Sequence, residues 1–539
     1  MTQAFASYLE GDAATGNQLV DDLFDSGYPP FIGQNSEWPG SLFSPLFFRM
    51  FVISADARNL MGEQQRGRME QMISEYVDRA CDPAEAKSDP WHADGSENQL
   101  VVRKTNCLLG TYALSHEDYP AWRDQLQLWL QERAKSGLHD EVHSQYERYT
   151  VASIYNLADF PGDAEIRQLG KQYLDLFWHL AAHEFNDKTA VQGASGSRLY
   201  QPDLSEQRGG SYHDPSLQWA RDWLYMYDWH DVSPRAETNS AILTAASSGY
   251  TPLSISRDLA LMDGKGFEYS ARQPGRAGAS ASEGHAILRN VTVNDDYMLG
   301  ASTYEPGMHR SVSAAENVWY GVSINNTETD RIVISGLANE KFESGNYADY
   351  YAINGVASED VIIAARDHEA ENSRGMRVYI GDGDLRTNLE HDSSGWIFTR
   401  AGDAYTAIRI PEPELDESTD ENGQIGAIRL DGGEDIWVPI VIQMGQASTF
   451  DGYGDFKNEV RDLPYGYANG AVMFTSLRGH TYTMSRQEHR ATLPRIDRRE
   501  PNTDPPFTYD SPFLSMEWQS VTATLTGPDR TSVTLDFST

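Results

Sequence analysis

The sequence predicts an α+β chain with its helices first and an all-β half after them. Three observations carry this. Residues 1–265 hold successive stretches with apolar side chains three to four positions apart, the period of an amphipathic helix. From residue 286 the pattern becomes two-residue alternation, the period of strands. Between them GFEYSARQPGRAGASASEGH (266–285) is rich in Gly, Ala and Ser and reads as a linker. Helices and strands segregated in this way mean an α+β fold or two separate domains.

The helical stretches run in order. They are SPLFFRMFVISADARNLM (44–61), RGRMEQMISEYVDRAC (66–81), ENQLVVRKTNCLLGTYALS (97–115) and AWRDQLQLWLQERAKSG (121–137). YTVASIYNLADF (149–160), AEIRQLGKQYLDLFWHLAAHEF (164–185) and SLQWARDWLYMYDW (216–229) follow. Connections are short, and many carry Pro, Gly or Asp, so consecutive helices pack as hairpins. The second half, 286–539, begins with AILRNVTVNDDYMLGASTY and ends with SVTLDFS. Many short strands joined by Gly, Asn and Asp turns read as an antiparallel β-sandwich. PEPELDESTDENGQ (411–424) reads as a solvated acidic loop, and GDGD (381–384) and LDGGED (430–435) read as turns.

Charge narrows the function. The chain of 539 residues carries 80 acidic and 43 basic residues, a net charge of −37, with only 8 Lys among the bases. Such a balance fits a salt-adapted surface and disfavours nucleic acid, whose phosphates require a basic footprint. No run of apolar residues is long enough to span a bilayer, so no membrane partner is expected. The opening MTQAFASYLEGDAATGNQ has neither a basic nor an apolar leader region, so no signal peptide is read. Cys81 and Cys107 are the only cysteines, too few for a disulfide framework or a four-cysteine zinc site.

No Walker loop, His-Glu-x-x-His, Gly-x-Ser-x-Gly or zinc spacing occurs. Three segments in the helical half are instead unusually polar and aromatic. In DPWHADGSENQLVVRKTN (89–106), Ser96 and Gln99 form a capping box that starts a helix. Asn98 then lies in the first turn, where free N–H groups favour an anion, and Asn106 lies two turns on. Trp91, Arg103 and Lys104 flank them. The second segment, SGLHDEVHSQYERYTVAS (136–153), gathers His139, His143, Tyr146, Arg148 and Tyr149. It offers a base, a phenolic acid and an anion clamp. The third, VQGASGSRLYQPDLSEQRGGSYHDPS (191–216), is a long connection carrying Arg198, Tyr200, Arg208, Tyr212 and His213. Each segment also has a bland reading as an ordinary cap, surface patch or loop. Arginine clusters inside a chain of this acidity favour a site for an anionic ligand, with aromatic rings to stack on sugars.

With these residues in view, the sequence resembles the two-domain polysaccharide lyases built from an incomplete (α/α) toroid and an antiparallel β domain. That group includes heparinase II/III-like proteins and alginate or glucuronan lyases. GSENQ (95–99) is similar to their Ser/Thr-Glu-Asn-His run, and EVHSQYERYT (141–150) to their Glu-x-x-Ser-x-x-Tyr stretch. ASGSRLY (194–200) is similar to their Gly-x-Arg-x-Tyr loop. GWIFTRAGDAYTAIRI (395–410) and the closing strands are similar to their β domain. Gln99 departs from the pattern, standing where those lyases often have His.

The resemblance implies β-elimination on a uronate polymer, an anionic partner, no cofactor or metal, and a secreted or periplasmic setting. It implies Asn98 as neutraliser of the uronate carboxylate, with Asn106 in reserve, and His143 as base or second neutraliser. Tyr200 is implied as general acid, with Arg198 beside it. Arg103, Asn106, Tyr146, Arg148, Tyr149, Trp91, Tyr212 and His213 are the expected binding residues. Two further readings compete. A toroid glycoside hydrolase would need paired carboxyls, for which Glu141 and Asp214 are available. A non-catalytic glycan-binding protein would explain Gln99, and an epimerase would share only the proton abstraction.

Overall fold

The computed structural model describes residues 1–26, 44–84, 97–137, 147–186, 190–191, 223–229, 239–274, 286–305, 320–325, 330–336, 353–366, 376–380, 383–410, 415–418, 427–430, 439–487 and 490–538. It is an α+β structure, with helices preceding antiparallel sheets.

The helices are α1 (Thr2–Leu9), α2 (Ala13–Asp25), α3 (Ser44–Phe48), α4 (Ala55–Leu60), α5 (Glu63–Ala80), α6 (Glu97–Ala113), α7 (Tyr119–Lys135), α8 (Glu147–Ala158) and α9 (Ala164–His183). A π-helical turn over Arg49–Ile53 separates α3 from α4. Two short helices, Asn239–Ala246 and Ser254–Ala260, follow. Local chemistry fixes several ends. Asp12 caps α2 by accepting from the Thr15 N–H, and Asp163 caps α9 by accepting from Glu165 and Ile166. α8 and α9 approach closely at Gly170, where a Cβ would lie 2.7 Å from the Ala158 nitrogen. Cys81, just beyond α5, is disulfide-bonded to Cys107 of α6. The sequence reading saw too few cysteines for a framework; the pair nonetheless forms one cross-link, with Cα atoms 5.5 Å apart.

Three sheets follow. A wide sheet of twelve strands runs in the order 415–418, 427–430, 376–380, 331–336, 320–324, 297–303, 286–294, 266–274, 507–510, 514–517, 522–526, 532–536. A middle sheet of six strands runs 390–391, 396–401, 404–409, 439–446, 361–366, 353–358. An outer sheet contains Tyr465–Ala468, Ala471–Thr475, Thr481–Gln487, Arg490–Ala491 and Arg495–Ile496.

Burial orders these as layers. One apolar cluster joins the helices to the wide sheet through Phe267, Tyr269, Val291, Val293, Met298 and the C-terminal strands. A second lies between the wide and middle sheets, and a third between the middle sheet and the outer sheet with helix Tyr453–Asp462. The expected sandwich is thus a three-sheet stack. Alternation alone cannot show that both faces of the middle sheet are covered. The linker reading of 266–285 also requires correction. Gly266–Pro274 is a nine-residue strand within the wide sheet, paired on both sides. Phe267, Tyr269 and Ala271 alternate into the helix-facing core, a signal that the following Gly and Ser obscured. Residues 275–285 lie outside the described residues.

Candidate active site

The three polar segments are joined to helix ends that lie together. α6 starts after the first, α8 starts after the second, and α9 ends before the third. The opposite end of these helices is identified by its contacts. Tyr112 near the end of α6 meets Phe160 just past α8, ring centroids 5.0 Å apart. Arg123 in α7 pairs with Asp163 at 3.0 Å and with Glu165, both at the start of α9. The near end therefore holds the N-termini of α6 and α8 and the C-termini of α7 and α9.

The wide sheet closes this near end. A Cβ on Gly137, after α7, would lie 3.1 Å from both Thr508 and the Tyr509 hydroxyl, and the φ of +81° there suits glycine. Glu184, directly after α9, pairs with Arg289 at 3.6 Å. Arg289 lies on strand Ala286–Asn294, on the same face as Val291 and Val293, opposite Ala271 and Ser302. Burial lowers the pKa of this guanidinium; Glu184, Tyr509 and Glu147 counter that effect. Gln273, next along the adjacent strand, is 4% exposed, and among the described residues neither its amide oxygen nor its nitrogen has a hydrogen-bond partner. The helix–sheet boundary therefore changes from apolar (Phe267, Tyr269, Val293) to polar (Arg289, Ser302, Gln273) toward the polar segments.

Beneath this row a histidine pair ties α9 to the sheet. His179 Nε2 donates to the Phe513 carbonyl at 2.8 Å, while Nδ1 accepts from Ser256 at 3.0 Å. His183 Nδ1 donates to the His179 carbonyl at 2.9 Å, and Nε2 accepts from Ser511 at 2.8 Å. Carbonyls only accept, so these partners assign the neutral tautomers. Burial pushes the pKa of His179 down to about 4 and that of His183 down to about 3, with His179 and Lys265 adding to the second shift. Both are neutral, structural imidazoles at neutral pH.

Of the residues expected from sequence, Asn98 is buried in the first turn of α6, its Oδ1 accepting from the Gln99 N–H at 2.8 Å. Gln99 is half-buried beside it. Arg103 donates to the Ala80 carbonyl at 2.9 Å, tying α6 to the end of α5. Asn106 is wholly buried and donates to Ser44 and Tyr76, joining α3, α5 and α6. Asn98 and Asn106 are eight positions apart, about 12 Å along the helix, so they do not form one constellation. Arg148 lies 4.6 Å from the centre of the Tyr149 ring and donates to its hydroxyl at 2.6 Å. Trp91, His143, Tyr146, Arg198, Tyr200, Tyr212 and His213 lie outside the described residues, as do Ser96, Glu141 and Asp214. Of GDGD, residues 381–382 lie outside the described residues and Asp384 begins a short helix, Asp384–Thr387.

Sequence reasoning missed Glu184, Gln273 and Arg289. The signal for Arg289 was present: it interrupts the buried face of AILRNVTVN, where Val291 and Val293 share its side. A guanidinium held between carboxylates is a rigid donor array, and the α6 N-terminus adds backbone donors. Among the described residues no three His, Cys, Asp or Glu side chains form a group that could hold a metal ion. No described helix is long and apolar enough to cross a membrane.

No family model and no curated protein matches this sequence. Solved structures similar to it include three polysaccharide lyases. A chondroitin AC lyase of Streptomyces coelicolor A3, in complex with chondroitin sulphate, is 11% identical with a TM-score of 0.42, covering 95% of this chain and 80% of that one. A heparinase III is 11% identical with a TM-score of 0.34, covering 92% and 82%. The heparan sulfate lyase HepC from Pedobacter heparinus is 11% identical with a TM-score of 0.33, covering 93% and 81%. At these scores the superpositions are loose.

Proposed function

We propose that this chain is a polysaccharide lyase that cuts a uronic-acid polymer by β-elimination, with an alginate- or glucuronan-type polyuronate as substrate. The observation that carries the reading is the gathering of helix ends. All three polar, aromatic segments are joined to one end of the helical layer, against the buried Arg289–Glu184 pair. The helical half, 1–265, then acts as an incomplete toroid with the catalytic groups, backed by the β half, 286–539. The Cys81–Cys107 disulfide supports a secreted or periplasmic setting, because such bonds persist in oxidising compartments.

Elimination requires three things of the site. The uronate carboxylate must be neutralised, the C5 proton removed and the leaving O4 protonated. In this reading Asn98 and the N–H groups of the α6 first turn donate to the carboxylate as charge builds on it. Asn106, the reserve expected from sequence, is bonded to Ser44 and Tyr76 and holds the helix packing rather than the substrate. His143 removes the proton or shares the carboxylate, and Tyr200, with Arg198 two positions before it in sequence, supplies the proton to O4. Trp91, Arg103, Tyr146, Arg148, Tyr149, Tyr212 and His213 are assigned to binding the polymer on the strength of the sequence resemblance alone. No cofactor enters the scheme.

The test is ultraviolet absorbance of the unsaturated product on mixing with polymannuronate, polyguluronate, glucuronan, hyaluronan, chondroitin and heparin. A rise is expected with a polyuronate, and its loss in Asn98→Ala and Tyr200→Phe variants that stay folded. New reducing ends without absorbance would refute elimination and favour hydrolysis by Glu141 and Asp214.

A further inference from the structure

The outer sheet presents a face that the catalytic reading does not use. A groove of about 480 Å³ is lined by Gly466, Ala471, Met473, Thr483, Ser485 and Arg495, among others. Strand register sets four of these in one row across the sheet: Gly466 opposite Met473, Met473 opposite Thr483, Thr483 opposite Arg495. The inward partners on these strands, Val472, Phe474, Tyr482 and Met484, fill the core against the middle sheet. Met473 is left 46% exposed. Few large apolar side chains among the described residues are as open.

The sequence here is locally basic, although Arg478 is already paired with Asp360 at 2.6 Å. Residues 464–500 contain six arginines (478, 486, 490, 495, 498, 499) against Glu488, Asp497 and Glu500, in a molecule of net charge −37. Arg498 and Arg499 are exposed at the turn that follows Arg495. The Arg495–Glu500 pair at 2.6 Å is solvent-exposed and is cheaply exchanged for another anion.

We propose that this face is a second, non-catalytic binding site for a chain of anionic sugar residues. Strands lie about 4.8 Å apart, close to the length of one pyranose ring in a chain, so the four-residue row matches about three rings. The apolar ring faces pack on Met473, the hydroxyls meet Thr483 and Ser485, and the carboxylates meet Arg495 and the 498–499 turn. The middle and wide sheets separate this face from the helix ends by about 20 Å or more, at about 10 Å per sheet spacing. It is therefore a holding site for a polymer rather than a catalytic subsite. Only the choice of polymer rests on the proposed lyase function.

The test is native electrophoresis of the full chain through gels containing alginate, polyglucuronate or neutral dextran. The wild type is expected to be retarded by an anionic polymer and not by dextran. R495E/R498E/R499E, and separately Met473→Asp, should weaken that retardation at least tenfold with thermal unfolding unchanged. The milder R498Q/R499Q should give an intermediate loss, and higher salt should weaken binding in the wild type. Product absorbance from short oligouronates should be unchanged in every variant. Equal retardation of variants and wild type, retardation by dextran, or none by either anionic polymer would overturn the proposal. So would a wild-type dimer in solution that Met473→Asp dissociates, which would assign the face to self-association. If the variants lose retardation while no polymer yields absorbance, this site stands and the lyase reading falls.

Discussion

Mild acid should loosen the junction between α9 and the wide sheet, because His179 and His183 must be neutral there. Their folded pKa values, about 4 and about 3, lie below the ordinary value of 6.5. The unfolded chain therefore binds more protons than the folded one between those limits. Stability is complete above about pH 6.5 and falls as the pH drops toward the folded values. Between pH 8 and pH 5 each histidine removes about 2 kcal/mol by this linkage. Asp175 works in the other sense. Burial raises its pKa to about 6, only partly offset by the Tyr250 hydroxyl. Its folded-state penalty therefore shrinks on acidification and returns about 1.4 kcal/mol over the same interval. From these three groups the expectation is a loss of about 2.5 kcal/mol. Carboxylates held below their usual range, such as Asp392 beside Arg461, stay ionised throughout this window and barely enter.

Urea denaturation at pH 8 and pH 5 measures the difference. The comparison is with His183→Gln, which keeps an amide near Ser511 but does not titrate. The variant's loss between the two pH values should be smaller by about 2 kcal/mol. Equal losses in the two proteins, or imidazole resonances of either histidine titrating near 6.5, would refute the argument.

Two further predictions concern cross-links. Replacing Cys81 and Cys107 with Ser removes a constraint spanning 26 residues, worth about 3.5 kcal/mol on the chain-entropy model. Denaturation midpoints with and without reductant should separate accordingly, and coincident midpoints would argue against the bond. At the helix–sheet boundary, Glu184→Gln leaves Arg289 buried with one charge partner fewer and should cost about 3 kcal/mol. Glu184→Met combined with Arg289→Met should recover most of that stability, which unfolding of the single and double variants would measure.

Much of the helical half was legible because a helix announces itself over several turns. Apolar spacing located α5 to α9, while the Asp163 cap at the start of α9 emerged only in the structure. Asn98 was placed correctly in the first turn of α6 from its neighbours alone, since capping is local chemistry. Two-residue alternation likewise marked 395–410 as strand, which the structure resolves into a hairpin of Trp396–Ala401 and Ala404–Arg409 about Gly402.

What escaped was everything that depends on two distant parts meeting. Strand Gly266–Pro274 was hidden because nine residues beside a Gly/Ser-rich stretch carry a weak pattern until neighbours pair with both edges. Glu184, Gln273 and Arg289 are far apart in the chain, and only packing α9 on the wide sheet makes them one polar row. Asn106 reads from spacing as a partner of Asn98, yet its amide turns to Ser44 and Tyr76, because α3 and α5 cover that side of α6. Local periodicity sets which residues form helices and strands. The burial of one element by another decides which polar groups stay open to a ligand, because desolvation compels every other buried group to find a partner.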